Sequence, residues 1–156
     1  MSIHIVLYRP EIPANTINIA RTCAATDTAL HLIRPLGFST DEKMIKQIGI
    51  DYWQYVNVIY YDSLHDFFQK NKGEFYYIET FGEKRHSDFD FSDASQDHYF
   101  MFGSETTGLP KDLLTKNEDH FLRIPMSKNV RSLNLSNTAA ILVYEALSQQ
   151  GFPCLR

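Results

Sequence analysis

The sequence predicts an α/β fold, with a mostly parallel sheet flanked by helices. Two observations support this prediction: short runs rich in β-branched and aromatic residues alternate with helical patterns, and proline or glycine separates several of them. A length of 156 residues favours a single domain over residues 1–156. With 44% hydrophobic residues, such a domain can bury a substantial core.

The first half of the chain begins with an apolar run, IHIVLY at 3–8, which is typical of a buried strand and is ended by two prolines. A helix follows over 15–25, with Asn15 as its expected N-cap. A second strand, 29–33, stops before a proline. The remaining elements of this half are a helix at 41–48, a strand at 56–61, and a helix at 63–71 capped by Asp62 or Ser63.

The second half adds three strands and two helices. Strand patterns at 75–79 and 98–102 are separated by a polar stretch, 82–97, that predicts a loop. A turn bounded by Gly103 and Gly108 follows the later strand. The last elements are a helix at 110–116 opened by proline, a strand at 120–124, a loop at 125–134 and a helix at 135–149.

The last helix is apolar on two faces. One face carries leucine, alanine and valine at helical spacing, and Ala140, Ile141 and Tyr144 extend a second one. A helix that is apolar on both sides is buried from both sides. The second face therefore packs either against another subunit or inside a monomer core, and the pattern leaves both open.

Composition excludes several classes of protein. The formal net charge is −4, so a site for nucleic acid must be a local cationic patch. Cys23 and Cys154 are far apart and form no CxxC motif, which favours reduced thiols in the cytoplasm. The first residues lack the pattern of a signal peptide, and no apolar run is long enough to span a membrane.

Three polar segments follow predicted strands: 78–80, 103–110 and 125–137. Ligands of parallel α/β sheets bind beyond the carboxyl ends of strands, so we expect these segments to converge. In FGSETTGLP the glycines are spaced as in a phosphate loop, but Gly108 is followed by leucine instead of lysine. No GxGxxG occurs either, so nucleoside triphosphates and dinucleotides are disfavoured. Taken alone, this segment is interpreted as an ordinary strand-to-helix turn whose glycines supply unusual backbone angles.

Two further segments carry candidate ligand contacts. Asn15, Asn18 and Arg21 recur at three-residue spacing, which places them on roughly one side of a helix where they could hold phosphate or ribose. The alternative is a cap followed by a solvated face. The second segment opens the last helix with a group of polar residues that must find partners in the chain's own backbone or in a ligand. These residues are Arg131, Ser132, Asn134, Ser136 and Asn137.

Metal and serine-hydrolase chemistry have no support in the sequence. The six histidines form no HExxH motif and no cluster with cysteine, so a catalytic metal is not expected. A GxSxG nucleophile elbow is also missing. The single tryptophan, Trp53, is expected in the core or at an interface rather than as a stacking platform for bases.

Taken together, NTINIART, FGSETTGLP and IPMSKNVRSLNLSNTAAILVYEAL resemble motifs one, two and three of the SPOUT RNA methyltransferases, TrmH-like branch. The resemblance covers nearly the whole chain and is strongest to the minimal tRNA wobble-nucleotide 2′-O-methyltransferases. The third motif is highly specific, the second moderately so, and the first is weak alone. Larger enzymes of the branch often carry an added RNA-binding domain, for which this chain has no room.

The resemblance implies a deep trefoil knot in the C-terminal part of the sheet, which the pattern alone would not suggest because knots are rare. It also implies a homodimer whose terminal helices pack together, S-adenosylmethionine as cofactor and tRNA as substrate. Residues that match the family's cofactor site are Ile78, Gly103, Ile124, Met126, Ser132 and Leu133. Those that match its active site are Arg21, Glu105, Ser132 and Asn134, and candidate substrate contacts are Asn15, Asn18 and Arg131.

The implied reaction is an in-line displacement at the methyl carbon by a ribose 2′-oxygen. Because a guanidinium stays protonated in proteins, we expect Arg21 to stabilise negative charge on that oxygen rather than to act as a base. Three positions depart from the pattern of close relatives: Ser104, Thr107 and Glu79. Glu79 could face the sulfonium, but we expect it to point to solvent.

An acidic protein must gather its cations locally to hold RNA. The cationic residues in or near the predicted strand-end loops are Arg9, Arg21, Arg34, Lys128 and Arg131. Three other functions compete with tRNA methylation: ribose methylation of ribosomal RNA, RNA binding by a knotted protein without catalysis, and generic nucleotide binding. Retention of Arg21, Glu105, Ser132 and Asn134 argues for catalysis.

Overall fold

The computed structural model describes residues 2–40 and 51–156, so the predicted helix at 41–48 lies outside the described residues. The strands are β1 (Ile3–Tyr8), β2 (Ala29–Ile33), β3 (Val58–Tyr61), β4 (Glu74–Ile78), β5 (Lys84–Arg85), β6 (His98–Phe102) and β7 (Phe121–Arg123). The helices are α1 (Pro13–Thr26), α2 (Leu64–Lys70), α3 (Lys111–Lys116) and α4 (Leu135–Gln149). Short 3-10 turns lie at Trp53–Tyr55, His86–Asp88 and Glu118–His120.

The seven strands form one parallel sheet in the order β3-β2-β1-β6-β4-β7-β5. The predicted α/β class with a mostly parallel sheet is therefore confirmed. Because every strand runs the same way, the segments that follow β4, β6 and β7 all emerge at one edge of the sheet. These are the three polar segments that the sequence singled out.

Helices cover both faces of the sheet. On one face, α1 and α4 pack against apolar side chains of β1 and β6, among them Ile5, Leu7 and Phe100. On the other face, Phe67 of α2 and Leu109 pack against Tyr99 and neighbouring rings. The buried strands β1, β2 and β6 are apolar or aromatic at most positions because they are covered on both sides.

Most predicted boundaries lie within two residues of the observed ones, and those of β1, β2, β6 and α4 coincide. The stretch 82–97 is not wholly a loop, since Lys84 and Arg85 form β5 beside β7. Because these two residues are exposed and charged, their sequence shows no strand pattern. Their strand conformation depends on pairing with the neighbouring strand β7. Ser63 is the N-cap of α2 and accepts a hydrogen bond from the Asp66 backbone N–H.

The prediction of Asn15 as the N-cap of α1 is wrong. The helix begins at Pro13, with Ile12 as N-cap and no capping bond from its side chain. Proline at the first helical position has a backbone angle suited to starting a helix there, which moves Asn15 into the first turn. Asn15 is buried at that position.

The second apolar face of α4 is open to solvent in this chain. Ala139, Leu142 and Val143 are fully buried, whereas Ile141 is 38% and Tyr144 46% exposed. A central helix inside a monomer core is therefore wrong as an account of this face, since no element of the described chain covers it.

Both cysteines are free, with Cys23 buried and Cys154 exposed. Burial raises the pKa of the Cys23 thiol to about 12, so this thiol stays protonated. Trp53 is partly buried and packs against the core beside α1, as predicted. Across 2–40 and 51–156, no helix is both long and apolar enough to cross a membrane.

Candidate functional site

A cavity of about 300 Å³ lies where the polar segments after β4, β6 and β7 meet the starts of α1 and α4. The predicted convergence of these segments is therefore confirmed. Part of the wall is apolar, formed by Ile12, Phe102 and Leu135 together with residues of the three segments. A cavity of this size and mixed character is typical of a site for a small organic ligand.

Six residues were predicted to contact a cofactor, and the structure brings all six to this cavity. They are Ile78, Gly103, Ile124, Met126, Ser132 and Leu133. Three of the four predicted active-site residues line it as well: Glu105, Ser132 and Asn134. The structure establishes their common location, and their individual roles stay predictions.

Glu105 is held against the start of α1. Its carboxylate accepts hydrogen bonds from the backbone N–H groups of Glu11, at 2.8 Å, and Ile12, at 3.3 Å. The side-chain amide of Asn15 donates to the same carboxylate at 3.4 Å. Free N–H groups at a helix start carry partial positive charge, so Glu105 serves as the anionic cap that Ile12 cannot provide.

A line of hydrogen bonds joins the start of α4 to Glu105. The Asn134 side chain caps α4 by accepting from the backbone N–H of Ser136 at 2.9 Å, and it donates to Asn15 at 3.2 Å. Asn15 in turn donates to Glu105. Some of the polar residues at the start of the last helix thus form hydrogen bonds within the protein. These bonds fix the starts of α1 and α4 and the turn after β6 relative to one another.

The turn from Gly103 to Gly108 closes on itself. A side chain at Gly103 would place its Cβ 2.1 Å from the Gly108 carbonyl carbon, and Gly108 has a left-handed φ of +70°. Ser104 Oγ and Thr107 Oγ1 form a hydrogen bond inside the turn. Two departures from the family pattern therefore bond to each other and make the turn compact.

Arg21, Asn18 and Arg131 do not line the cavity of their own chain. All three are exposed, and the Arg21 guanidinium lies over the Tyr52 ring, 5.8 Å from its centroid. The expectation that Asn15, Asn18 and Arg21 share one helix side is wrong. Successive steps of three residues turn about 60° short of a full revolution, so Arg21 lies about 120° from Asn15 around the axis.

The prediction that Glu79 points to solvent is also wrong. Glu79 is half-buried in the cavity wall, and its Oε1 accepts a hydrogen bond from the Leu109 backbone N–H at 3.0 Å. Burial raises the pKa of Glu79, while the Leu109 hydrogen bond opposes that shift. Glu79 directly follows β4, at the edge of the sheet where ligands bind. This place in the sequence was the feature that could have predicted its location in the cavity wall.

The wall also contains Thr80, which belongs to the polar segment 78–80, and Thr138, which lies outside the three segments predicted to converge. Thr138 lies one turn after Asn134, so the helical period could have placed it on the same face. Among the residues of 2–40 and 51–156, no group of three or more acidic, histidine or cysteine side chains is placed to hold a metal.

Comparison with known proteins agrees with this geometry. The sequence model of the SpoU rRNA methylase family matches residues 2–144. A Geobacillus stearothermophilus relative, provisionally named a tRNA (cytidine(34)-2′-O)-methyltransferase, is 68% identical over 97% of this chain and 98% of its own. A provisionally named RNA methyltransferase from Bacillus anthracis has a crystal structure with a TM-score of 0.96 and 64% identity, over 98% of this chain and 97% of its own. A structure described as giving insights into the 2-OH methylation of C/U34 on tRNA aligns with a TM-score of 0.86 and 38% identity, over 96% of each chain.

Proposed function

Because this chain belongs to the SpoU rRNA methylase family, we propose that it is a tRNA ribose methyltransferase. It transfers a methyl group from S-adenosylmethionine to the ribose 2′-oxygen of nucleotide 34, the cytidine or modified uridine that opens the anticodon. The observation that carries this proposal is the convergence of three motif segments on one cavity beyond the strand ends.

The cavity suits S-adenosylmethionine in shape and charge. Apolar side chains such as Ile78, Ile124 and Leu133 offer surface to the adenosine, and the polar groups of Ser132 and Asn134 lie beside them. Among the wall residues within 2–40 and 51–156, the two charged ones, Glu79 and Glu105, are both acidic. When bound, the cofactor supplies a methyl group made electrophilic by its sulfonium and carries a net charge of about +1, which an acidic wall favours.

The protein's main task is to position the ribose. Placing a 2′-oxygen in line with the methyl carbon can contribute roughly 7–11 kcal/mol of barrier reduction when the alignment is near ideal. Ser132 and Asn134 are exposed at the cavity and offer hydrogen-bonding groups to the sugar. Glu105 and Asn15 keep the start of α1 fixed against that side of the cavity.

Arg21 is the proposed group that stabilises negative charge on the 2′-oxygen. It lies six residues after Asn15, which is about 9 Å further along α1. Because Arg21 does not line the cavity of its own chain, we propose that it serves the cavity of a second copy in a homodimer. The exposed apolar residues Ile141 and Tyr144 on α4 support this assembly, since a dimer would cover them.

RNA would reach the cavity over the carboxyl ends of the strands. Arg9 follows β1, the neighbour of β6, and lies over the Tyr8 ring at 5.1 Å. Arg34 follows β2 and lies over the Tyr60 ring at 5.0 Å. Paired cationic and aromatic side chains suit both the phosphates and the bases of an anticodon loop. We propose that Asn18 and Arg131, also exposed, extend this surface.

The proposed enzyme is a single domain over 1–156 with a C-terminal trefoil knot. It acts in the cytoplasm. Support for the knot comes from β7, which lies between β4 and β5 in the sheet. The connection 79–83 therefore passes across the end of β7, and a Cβ at Gly82 would lie 3.1 Å from the Leu122 carbonyl carbon. A knot forms if the chain after β7 passes through this connection.

Mass spectrometry of tRNA tests the proposed reaction. Purified protein, S-adenosylmethionine and tRNA from cells that lack the protein should give one added methyl group on the ribose of nucleotide 34. A matched tRNA with 2′-deoxycytidine at that position should stay unmodified, because it lacks the acceptor oxygen. Methylation of the deoxy substrate, or of ribosomal RNA instead of tRNA, would overturn the proposal.

A further inference from the structure

The cavity wall carries an unbalanced negative charge. Glu79 and Glu105 line it, whereas none of the lining residues in the described part of the chain is lysine, arginine or histidine. The two carboxylates differ in how the protein compensates them. Glu105 accepts from two backbone N–H groups at a helix start and from the amide of Asn15.

Glu79 has much less compensation. Its Oε1 accepts from the Leu109 N–H, and within 2–40 and 51–156 no cationic side chain forms an ion pair with it. The neighbouring Gly108 offers no side chain, and a Cβ built there would lie 3.1 Å from Oε1. A half-buried carboxylate is costly unless a positive charge or further donors approach it.

We infer that Glu79 makes this pocket select for the positive charge of the methyl donor and against its uncharged product. The inference rests on the proposed function. In methyl transfer the carbon–sulfur bond breaks and its electron pair returns to sulfur, while the 2′-oxygen forms the new carbon–oxygen bond and releases its proton to water. The sulfonium thereby becomes a neutral thioether, and the attraction to Glu79 that depends on this charge is lost.

A role as a contact for ribose hydroxyls is the main alternative. Hydroxyl groups need only an acceptor, which backbone carbonyls or an amide supply without the cost of burying a carboxylate. The two carboxylates, by contrast, give the wall a net negative charge, which only a positively charged ligand can neutralise. Selection by charge also predicts a difference between donor and product, whereas contact with the ribose predicts none.

Isothermal titration with three ligands separates these possibilities. S-adenosylmethionine and sinefungin both carry a positive charge at the reacting position, and S-adenosylhomocysteine does not. All three share the adenosine and the amino-acid ammonium, so those contributions cancel. Glu79→Gln keeps an oxygen that accepts from Leu109 but removes the charge. We expect it to weaken both cationic ligands about tenfold, equivalent to about 1.4 kcal/mol, and S-adenosylhomocysteine less than about twofold.

Two further variants complete the test. Glu74→Gln removes an exposed carboxylate from the opposite end of β4 and should leave all three dissociation constants unchanged. Glu79→Thr is a second neutral variant and should lose the preference for cationic ligands as Glu79→Gln does, so a folding defect peculiar to one variant cannot mimic the effect. Equal weakening of all three ligands, or an unchanged preference, would overturn the inference while leaving the proposed function intact. Wild-type protein that binds none of them would overturn the proposed function itself.

Discussion

Glu105 accepts a hydrogen bond from the backbone N–H of Glu11 at 2.8 Å, although 94 residues separate the two in sequence. Through this contact the turn after β6 is tied to the residue just before the N-cap of the helix that follows β1. The same carboxylate also accepts from Ile12. Glu105, a proposed active-site residue, thus also holds together two walls of the cavity, so we expect its replacement to affect both stability and methyl transfer.

Glu105→Ala should lower the free energy of unfolding by about 1–2 kcal/mol, the usual cost of losing a helix N-cap acceptor. Glu105→Gln keeps an acceptor and should cost less, while methyl transfer falls in both variants because the start of α1 loses its anionic anchor. Urea unfolding and single-turnover assays measure the two effects. Glu83→Ala, at an exposed carboxylate outside the cavity, is the control. Unchanged stability in Glu105→Ala would contradict the capping role.

Asn134 has two separable tasks, because it caps α4 and donates to Asn15. Asn134→Ser keeps a good capping side chain but is too short to reach Asn15. It should retain most of the stability and lose methyl transfer, whereas Asn134→Ala should also lose about 1 kcal/mol of stability. Thermal unfolding and methyl-transfer rates distinguish the two. Full activity in Asn134→Ser would show that the contact with Asn15 is dispensable.

The sequence predicted the sheet and the cavity because both depend on local patterns and on one topological rule. The strand boundaries of β1, β2 and β6 follow from continuous apolar runs, which only strands buried on both sides tolerate. Once the strands are parallel, the segments that follow them must meet at one edge. The six residues predicted to hold the cofactor therefore lie together at the cavity.

Contacts between distant segments could not be predicted from pattern. Asparagine is a common N-cap residue, which is why Asn15 is predicted to be the N-cap of α1. Pro13 starts the helix earlier, however, and the negative charge at the helix start comes from Glu105. Glu79 is charged and follows a strand, so solvent exposure was the default expectation. Its burial depends on the Leu109 N–H, which the turn after β6 brings to it. In both cases the deciding partner lies about 30 or more residues away in sequence.

The proposal that Arg21 serves the cavity of a second copy leads to a complementation test. Arg21→Ala should reduce methyl transfer by about 10²-fold or more, the usual cost of losing one stabilising donor. Arg21→Lys should recover little, because the ammonium lacks the planar fork. Arg123→Ala, at another exposed arginine, is the matched control. Heterodimers of Arg21→Ala with a cavity variant such as Asn134→Ala then locate the site that Arg21 serves.

If Arg21 acts across the dimer, these heterodimers contain one cavity with both an intact wall and an intact arginine. Activity should then return to about half of the wild-type level per dimer. If Arg21 acts on its own chain, each cavity has one defect and activity stays low. Restored activity therefore supports the proposed assembly, and its absence from heterodimers of verified composition contradicts it.

Affinity for tRNA should fall steeply with added salt, because an acidic protein holds RNA through a few local cations. Arg9→Ala should weaken binding and make the dependence of the logarithm of affinity on the logarithm of salt shallower by about 0.7–0.9, the loss of one phosphate contact. Lys72→Ala, at an exposed cation before β4 and so at the opposite strand ends, is the control. Affinity that does not change between low and moderate salt would remove the support for this surface.

His31 should make stability depend on pH. It is 1% exposed, with its Nδ1 hydrogen-bonded to the Tyr61 hydroxyl at 2.8 Å and its Nε2 to His4 Nδ1 at 2.9 Å. Burial, reinforced by the neighbouring His4, lowers the pKa of His31 to about 3. In the unfolded chain His31 takes up a proton near pH 6.5, whereas in the folded chain it stays neutral at that pH. The contribution of His31 to stability is therefore full above that pH and decreases as pH falls toward 3.

The contribution of His31 to this loss is at most about 1.4 kcal/mol per pH unit between those limits. Urea unfolding of the wild type between pH 7 and pH 4 measures the slope. His31→Gln should be less stable at pH 7, since it disturbs two buried hydrogen bonds, but its stability should fall less steeply with acid. His65→Gln, at an exposed histidine on α2, should keep the wild-type slope. Equal slopes in wild type and His31→Gln would show that His31 takes up its proton in the folded protein, which would contradict its burial as a neutral ring.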